Sequence, residues 1–226
     1  MGKNKLARFA ENLTFEHVVQ PAFEELVQGS FPLKGRWNAD FFQREAPLVL
    51  ELGCGRGEYT LGLARLNPER CYIGVDIKGA RIWRGARNAR EEGLSNVGFL
   101  RTHVDHVTRC FGPQEVDEVW LTFSDPQLGK PRKRLTSPIF LARYKEILKP
   151  GGLVHLKTDS PVLYEYTLEM IEEQGLRIHE HSADIYADLM HRASPEEQAV
   201  LGIRTYYESM WLEEGRTIHY VRFSLD

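Results

Sequence analysis

The stretch that decides the fold is Leu48-Val49-Leu50-Glu51-Leu52-Gly53-Cys54-Gly55-Arg56-Gly57. An apolar run of β-forming residues meets glycines at three alternate positions, Gly53, Gly55 and Gly57, and a helical pattern follows. Strand, glycine turn and helix in this order form the first unit of a nucleotide-binding type of α/β fold. Glycines let the backbone turn sharply and pass close to a bound ligand. We therefore expect a ligand site at this turn, although a Gly-rich turn without a ligand has the same pattern.

The carboxylate of Glu51 is the unusual feature of this stretch, because it lies near the strand end, two residues before the first glycine. It would repel the pyrophosphate of a dinucleotide. It would attract a cationic ligand, such as the sulfonium and amino groups of S-adenosyl-L-methionine.

Strand and helix patterns alternate along the rest of the chain, which predicts a mostly parallel sheet with helices on both faces. The expected fold is a single-domain, Rossmann-like α/β fold of the class I methyltransferase type with seven strands. We expect residues 1–46 to form an N-terminal extension with a short helix at Trp37–Phe42 covering one end of the core, and residues 47–226 to form the domain. Residues 185–202 have no clear pattern and are predicted to form a long functional loop with a short helix.

Composition limits the class of protein. The chain has 226 residues, 42% hydrophobic and 27% charged, as in globular proteins, and a net charge of −3. Any role in binding nucleic acid must therefore depend on a local basic patch. The three cysteines are widely spaced and odd in number, which favours reduced thiols in a cytoplasmic protein over a disulfide framework or a metal site.

A second acid follows the next predicted strand. Asp76 ends Tyr72-Ile73-Gly74-Val75-Asp76, about 20 residues after the glycines, where an acid accepts hydrogen bonds from ribose hydroxyls. This spacing suits NAD as well as S-adenosyl-L-methionine, and a helix-capping role is the structural alternative. The G-x-G-x-G spacing and the lack of a second domain for hydride chemistry favour S-adenosyl-L-methionine.

Several further motifs occur in order: Leu121-Thr122-Phe123-Ser124-Asp125-Pro126, His155-Leu156-Lys157-Thr158-Asp159 and Thr205-Tyr206-Tyr207-Glu208. Together with the two stretches above, they resemble the bacterial tRNA (guanine-N7)-methyltransferase family, from about Trp37 to the C-terminus. The resemblance implies an S-adenosyl-L-methionine-dependent enzyme that methylates N7 of a guanosine in the tRNA variable loop.

The resemblance also implies roles for individual residues. Glu51 and Asp76 match cofactor-binding acids, and Asp125 matches the catalytic position, close to the cofactor. The expected substrate side comprises Asp159, Thr205, Tyr206, Tyr207 and Glu208.

The chain departs from the family pattern near these residues. His103 stands where the family usually has an acid near the adenine, and Asp105 is a candidate substitute. Gln127 replaces a usual tryptophan. The basic loop that follows is shorter, so Lys130 matches the substrate-side lysine only with a shifted register.

The chemistry expected of such a site needs no strong general base, because guanine N7 carries a lone pair and no proton. Asp125 could hold the N1/N2 edge of the guanine and favour the positive charge that develops on the purine. Its structural alternative is to cap the turn, since Asp-Pro initiates turns. The dense basic run at residues 130–134, which includes Lys130, Arg132 and Lys133, is predicted to contact tRNA phosphates or to be a solvated loop. We interpret His155, inside a strand, as a packed core histidine.

Two other interpretations stay open at this point. The chain could be a methyltransferase that acts on another RNA site or on a small-molecule amine, although Ser124-Asp125-Pro126-Gln127 lacks the second proline and the aromatic residue frequent in amine methyltransferases. It could also be a non-catalytic RNA-binding protein on the same fold. The sequence does not define the oligomeric state.

Overall fold

The computed structural model describes residues 2–226, with side chains from residue 6 onward. The strands are β1 (Val18–Val19), β2 (Leu48–Leu52), β3 (Cys71–Val75), β4 (Val97–Leu100), β5 (Val116–Thr122), β6 (Leu148–Thr158), β7 (Arg177–Ser182) and β8 (His219–Ser224). The α-helices are α1 (Gly2–Asn12), α2 (Phe23–Gln28), α3 (Glu58–Leu66), α4 (Gly79–Glu91), α5 (Val107–Cys110), α6 (Pro138–Ile147), α7 (Pro161–Glu173), α8 (Met190–Arg192), α9 (Pro195–Leu201) and α10 (Tyr206–Glu213). Trp37–Phe42 and Ile185–Leu189 are π-helical, and Val104–His106 and Pro131–Lys133 form 3₁₀ turns.

The strands form one sheet in the order β1-β4-β3-β2-β5-β6-β8-β7. Neighbours from β1 to β6 run parallel, and β8 runs antiparallel to both β6 and β7. The predicted α/β fold is confirmed, with eight strands instead of seven because Val18–Val19 adds a short edge strand beside β4. From β2 the chain proceeds outward to β3 and β4 and then returns to β5. Ligands bind at such a reversal, beyond the carboxyl ends of the strands.

Two apolar cores cover the two faces of the sheet. Alternate residues of β2 separate them: Leu48, Leu50 and Leu52 face the core that includes α6 and α7, and Val49 faces the core that includes α3 and α4. This alternation follows from the twofold side-chain period of a strand. The sheet is therefore covered on both faces, as a parallel sheet requires.

The N-terminal segment lies against the same sheet. Helix α1 packs on α4, β1 pairs with β4, and Trp37 is fully buried with its indole N–H donating to Cys110 O at 2.9 Å. The short helix predicted at Trp37–Phe42 is present. The domain boundary at residue 47 stays a prediction, and residue 1 lies outside the described residues.

The prediction of a long loop at residues 185–202 was wrong, because most of this segment is helical. Asp184 accepts backbone N–H groups of Tyr186 and Ala187 at the first turn, both at 3.0 Å. Ser194 and Glu197 form a reciprocal capping box at the start of α9. Ser194-Pro195-Glu196-Glu197 is the sequence signature of such a box, so the signal was present in the sequence. No helix in residues 2–226 is long and apolar enough to cross a membrane.

A fully buried ion pair ties this helical segment to the sheet. Lys157 Nζ donates to Leu201 O at 2.7 Å, to Ile203 O at 3.0 Å and to the Glu208 carboxylate at 2.8 Å. Both side chains are 0% exposed. Burial lowers the pKa of Lys157 to about 8, although Glu208 opposes the shift. The amino end of α10 is thereby fixed against the carboxyl end of β6.

We expect Lys157→Met to destabilise the fold by about 3–5 kcal/mol, because it leaves the Glu208 charge buried without its partner. The double variant Lys157→Met/Glu208→Leu should recover a large part of this loss, since it removes both charges. Urea unfolding measures each free energy of unfolding. Arg216→Met is the control, because it breaks the more exposed pair with Asp159 and should cost at most about 1 kcal/mol. An equal loss in the free energy of unfolding in the single and double variants would contradict the role assigned to the Lys157–Glu208 ion pair.

Candidate functional site

The glycine turn after β2 has the left-handed backbone that its composition requires. The φ angles of Gly53, Gly55 and Gly57 are +84°, +57° and +70°. Gly57 also lies against Phe99, where an added Cβ would come within 2.5 Å of the ring. Gly53 and Gly55 have no atom within 4 Å of an added Cβ. Gly57 therefore serves the packing of α3, and Gly53 and Gly55 form the open part of the turn.

The N–H groups of this turn bind the protein itself. Gly53 N and Cys54 N both donate to Val75 O, at 2.8 and 3.0 Å, and Gly55 N donates to the Asp76 carboxylate at 2.9 Å. A pyrophosphate site needs N–H groups directed at the ligand. These three N–H groups are used internally, which agrees with the prediction of a cationic ligand over a dinucleotide.

Glu51 lies beneath the turn with its carboxylate held by two threonines. Thr60 donates through its backbone N–H, at 2.8 Å, and through its hydroxyl, and Thr122 donates through its hydroxyl. Burial raises the pKa of Glu51 to about 7, against the opposing effect of these hydrogen bonds. Glu51 is only 3% exposed, so a nearby cation would stabilise the charged form of its carboxylate.

Asp76 connects the turn to α4. One oxygen accepts Gly55 N at 2.9 Å and the other accepts Lys78 N at 2.7 Å. The helix-capping alternative is not what the structure shows, because Lys78 is the N-cap residue of α4 and none of the described side chains caps this helix; Asp76 instead forms a turn just before it. Each carboxylate oxygen has a second lone pair, so the same residue can still accept ribose hydroxyls.

Two cavities meet at Gly53, which lines both of them. The larger, about 600 Å³, is lined by Asp76, His103, Asp105, Gln127 and the basic loop residues Arg132 and Lys133, among others. The smaller, about 90 Å³, is lined by Glu51, Gly55, Thr122, Phe123, Thr205 and Tyr207, among others. Both lie at the carboxyl ends of the central strands. Predicted residues of both sides therefore line the two cavities, whereas Lys130, Asp159, Tyr206 and Glu208 line neither.

The segment after β5 is strained and contains an unsatisfied polar atom. Phe123 and Gln127 have positive φ angles, 51° and 45°, which are unusual for residues other than glycine. Phe123 N donates to Lys157 O at 2.8 Å, which fixes the segment to β6. The buried Ser124 Oγ has no hydrogen-bond partner in the described structure. Strain and an orphan polar atom cluster at functional sites.

Asp125 is exposed at the tip of this segment, and its Oδ1 accepts Gln127 N at 2.9 Å. The turn-capping alternative is therefore present and uses one of the two carboxylate oxygens. Asp125 lines neither cavity. It lies in sequence between Phe123, which lines the smaller cavity, and Gln127, which lines the larger one.

The basic run divides into an exposed part and a buried residue. Lys130, Arg132 and Lys133 are exposed. Arg134 is 6% exposed, its Nε donates to Pro126 O at 2.9 Å, and its guanidinium lies 4.3 Å from the ring centre of Tyr166. Including Arg134 in a phosphate-binding surface was wrong, because this guanidinium packs inside the protein and supports the Asp-Pro turn.

The substrate-side predictions also differ in exposure. Thr205 caps α10 by accepting Glu208 N at 3.1 Å, and Tyr206 and Tyr207 are 50% and 41% exposed. Glu208 faces inward to Lys157 and to the Tyr186 hydroxyl, which donates to it at 2.8 Å. Asp159 accepts from Arg216 at 3.0 Å.

One important residue was not singled out by the sequence. Lys157 lies within the quoted Lys-Thr-Asp motif, yet only the fold shows that its side chain is buried beneath the substrate-side helix. A lysine inside an apolar strand was the available signal, because lysines are rarely fully buried without a partner. The prediction for His155 is confirmed: it is buried, stacks on Trp120 at 3.9 Å and contacts Tyr220 Oη at 2.8 Å.

The site suits S-adenosyl-L-methionine in several respects. The combined size of the cavities is within the range of ligand pockets. Asp76 lies in the wall of the larger cavity and Glu51 in that of the smaller one, at the ends of adjacent strands. The open turn at Gly53 and Gly55 leaves steric capacity for a ligand.

Comparisons with known proteins show the family of the chain. The family model described as "Putative methyltransferase" matches residues 45–221. Curated proteins named tRNA (guanine-N(7)-)-methyltransferase include one from Christiangramia forsetii, 50% identical over 99% of this chain and 98% of its own length. Another, from Porphyromonas gingivalis, is 52% identical over 94% of this chain and 86% of its own length.

Solved structures support the fold alone. A 16S rRNA methyltransferase, KamB, superposes with a TM-score of 0.60 at 17% identity, covering 89% of this chain and 93% of its own. An S-adenosylmethionine-dependent methyltransferase from Aquifex aeolicus gives a TM-score of 0.54 at 14% identity, with 97% of each chain covered. With relatives about 50% identical over nearly its whole length, the chain belongs to the bacterial tRNA (guanine-N7)-methyltransferase family.

Proposed function

We propose that the protein transfers a methyl group from S-adenosyl-L-methionine to N7 of a guanosine in the variable loop of tRNA, in the cytoplasm. The observation that carries the proposal is the pair of cavities that meet at Gly53, with the exposed basic loop on one side and the Thr205 segment on the other. Relatives about 50% identical are named for this activity. Incubation with labelled cofactor and unmodified tRNA, followed by mapping of the methylated nucleotide, tests it directly.

The cofactor, when bound, supplies an electrophilic methyl group. Asp76 would accept its ribose hydroxyls and Glu51 would balance its positive charge, while Gly53 and Gly55 allow its close approach. We assign His103 to the adenine side, because it lines the larger cavity with Asp76. Gly57 would act indirectly, through the position of α3.

The protein would position guanine and manage charge. N7 attacks without losing a proton, so Asp125 would hold the Watson–Crick edge and stabilise the cationic purine without acting as a strong base. We propose that Lys130, Arg132 and Lys133 contact phosphates, and that Asp159, Thr205, Tyr206 and Tyr207 border the substrate. Glu208 would support this border from beneath, because its carboxylate is buried on Lys157.

Cofactor affinity should depend on pH through Glu51. Burial raises the pKa of Glu51 to about 7, and a bound cation would lower it. Binding therefore releases up to one proton, and affinity should rise by up to about tenfold per pH unit below pH 7 and level off above it. Calorimetry in buffers of different ionisation enthalpy counts the protons. Glu51→Gln should abolish the release, and Glu69→Gln, at an exposed glutamate, should retain it. Proton release that persists in Glu51→Gln would show that the proton does not come from Glu51.

Replacing the target guanosine by 7-deazaguanosine should abolish methyl transfer and leave tRNA binding roughly intact. The replacement removes the nucleophilic nitrogen and keeps the Watson–Crick edge. Binding and single-turnover transfer are measured on the same transcripts, with guanosine as the control. Normal transfer to the deaza substrate would exclude N7 and favour an exocyclic amine as the acceptor.

Asp125→Asn should retain cofactor binding and lose about 100-fold or more in transfer rate, because a neutral amide does not stabilise a cationic purine. Single-turnover kinetics at saturating tRNA separate rate from binding. Asp188→Asn, at an exposed acid after β7, is the matched control and should transfer at the normal rate. A normal rate in Asp125→Asn would leave the residue with its turn-capping role alone.

Replacing both Arg132 and Lys133 by alanine should weaken tRNA binding and reduce the slope of log affinity against log salt by about 1–2, because two phosphate contacts are lost. The control is Lys145→Ala/Lys149→Ala, which removes the same charge at the opposite edge, where β6 begins. Cofactor affinity is measured in parallel, because Arg132 and Lys133 also line the larger cavity. A slope unchanged from the wild type would mean that the basic loop is solvated in the complex.

A further inference from the structure

Three aromatic side chains form a continuous group at the start of α10, here called the aromatic rim: Tyr206, Tyr207 and Trp211. The ring centres of Tyr206 and Tyr207 are 5.6 Å apart and nearly perpendicular, and those of Tyr207 and Trp211 are 5.8 Å apart and stacked. Trp211 in turn packs on Phe123 at 5.1 Å. The rim therefore contacts the strained segment after β5 at Trp211 and continues from there towards solvent.

The rim is exposed although its backbone is firmly held. Tyr206 and Tyr207 are 50% and 41% exposed. The Tyr206 N–H donates to the Glu58 carboxylate at 3.0 Å, and Thr205 caps the helix. Neighbouring exposed aromatic rings on a firmly held backbone are typical of a binding surface, whereas scattered exposed apolar residues need no explanation.

Cationic groups flank the rim. The guanidinium of Arg56 lies 4.9 Å from the ring centre of Tyr206, and that of Arg216 lies 5.8 Å from the ring of Trp211. Planar aromatic and guanidinium groups both stack on unpaired nucleobases, and the positive charge of Arg56 suits adjacent phosphates, whereas Arg216 is paired with Asp159 and Glu214. This combination favours RNA over an apolar protein segment as the occupant.

The position of the two tyrosines separates two bases. Tyr207 lines the smaller cavity beside Glu51 and Phe123, whereas Tyr206 does not line it and lies one ring further out. A base stacked at Tyr206 is thus a different base from one that enters the cavity. We propose that Tyr206, together with Arg56, stacks on an unpaired nucleotide next to the methylated guanosine, an inference that rests on the proposed function.

The test is a coupling experiment between the tyrosine and individual bases of the tRNA. Loss of one aromatic stack typically weakens binding by roughly 5- to 150-fold. We expect Tyr206→Leu to reduce tRNA affinity within this range, with cofactor affinity and salt slope unchanged, and Tyr206→Phe to bind as the wild type.

Transcripts with an abasic nucleotide at the 5′ or the 3′ neighbour of the target are then compared. At the stacked position, removal of the base should itself weaken binding to the wild type, and Tyr206→Leu should add no further loss.

Two outcomes would overturn the inference. One is a Tyr206→Leu variant that binds unmodified tRNA with wild-type affinity, which would leave the rim as a surface for another partner. The other is a Tyr206→Leu loss that is independent of both abasic substitutions. Failure of the proposed function is distinguishable, because the wild-type protein itself would then neither bind nor methylate tRNA.

Discussion

The arrangement of the site depends on the buried charge of Lys157. Its ammonium binds the carbonyl groups of Leu201, at the end of α9, and of Ile203, as well as the Glu208 carboxylate, and its own carbonyl accepts the N–H of Phe123. One residue at the end of β6 therefore fixes both the strained segment that carries Asp125 and the helix that carries the aromatic rim. A buried charge demands its partners in defined positions, because leaving it unpaired is costly. This requirement gives the exposed segment after β5 and the aromatic rim a defined geometry.

The two faces of the sheet differ in the polarity of their side chains. One is filled by apolar side chains such as Leu50 and Leu156. The other carries polar groups along the same strands, from Glu51 and Lys157 at the site to Glu118 and His155 further back. Burial alone would raise the pKa of Glu118, but the neighbouring His155 and the Arg70 guanidinium, which donates to the carboxylate, lower it. The polar groups are held by one another, so this face gains fixed charges near the ligand without losing its packing.

The charges around the site differ from the net charge of the chain. The net charge is −3, yet exposed cations lie at Lys130, Arg132 and Lys133 beside one cavity, and Arg56 lies beside the other. Buried acids lie beneath them. Such a layering suits a polyanionic substrate above a cationic cofactor, because each meets the opposite sign at short range, where solvent screens least.

The sequence by itself determined the fold class, the glycine turn and the acids at the strand ends, because local patterns encode strand, turn and helix directly. It also contained the capping box at Ser194, which reveals α9 within a segment that lacks an apolar period. Only the tertiary structure decided which members of each motif face the site. Arg134 and Glu208 belong to motifs that otherwise point to RNA, and both are buried, since one supports the Asp-Pro turn and the other neutralises Lys157. Tyr166, on which Arg134 packs, and Lys157, which pairs with Glu208, both lie far away in the sequence, so no local pattern reports whether such a charged side chain is buried or exposed.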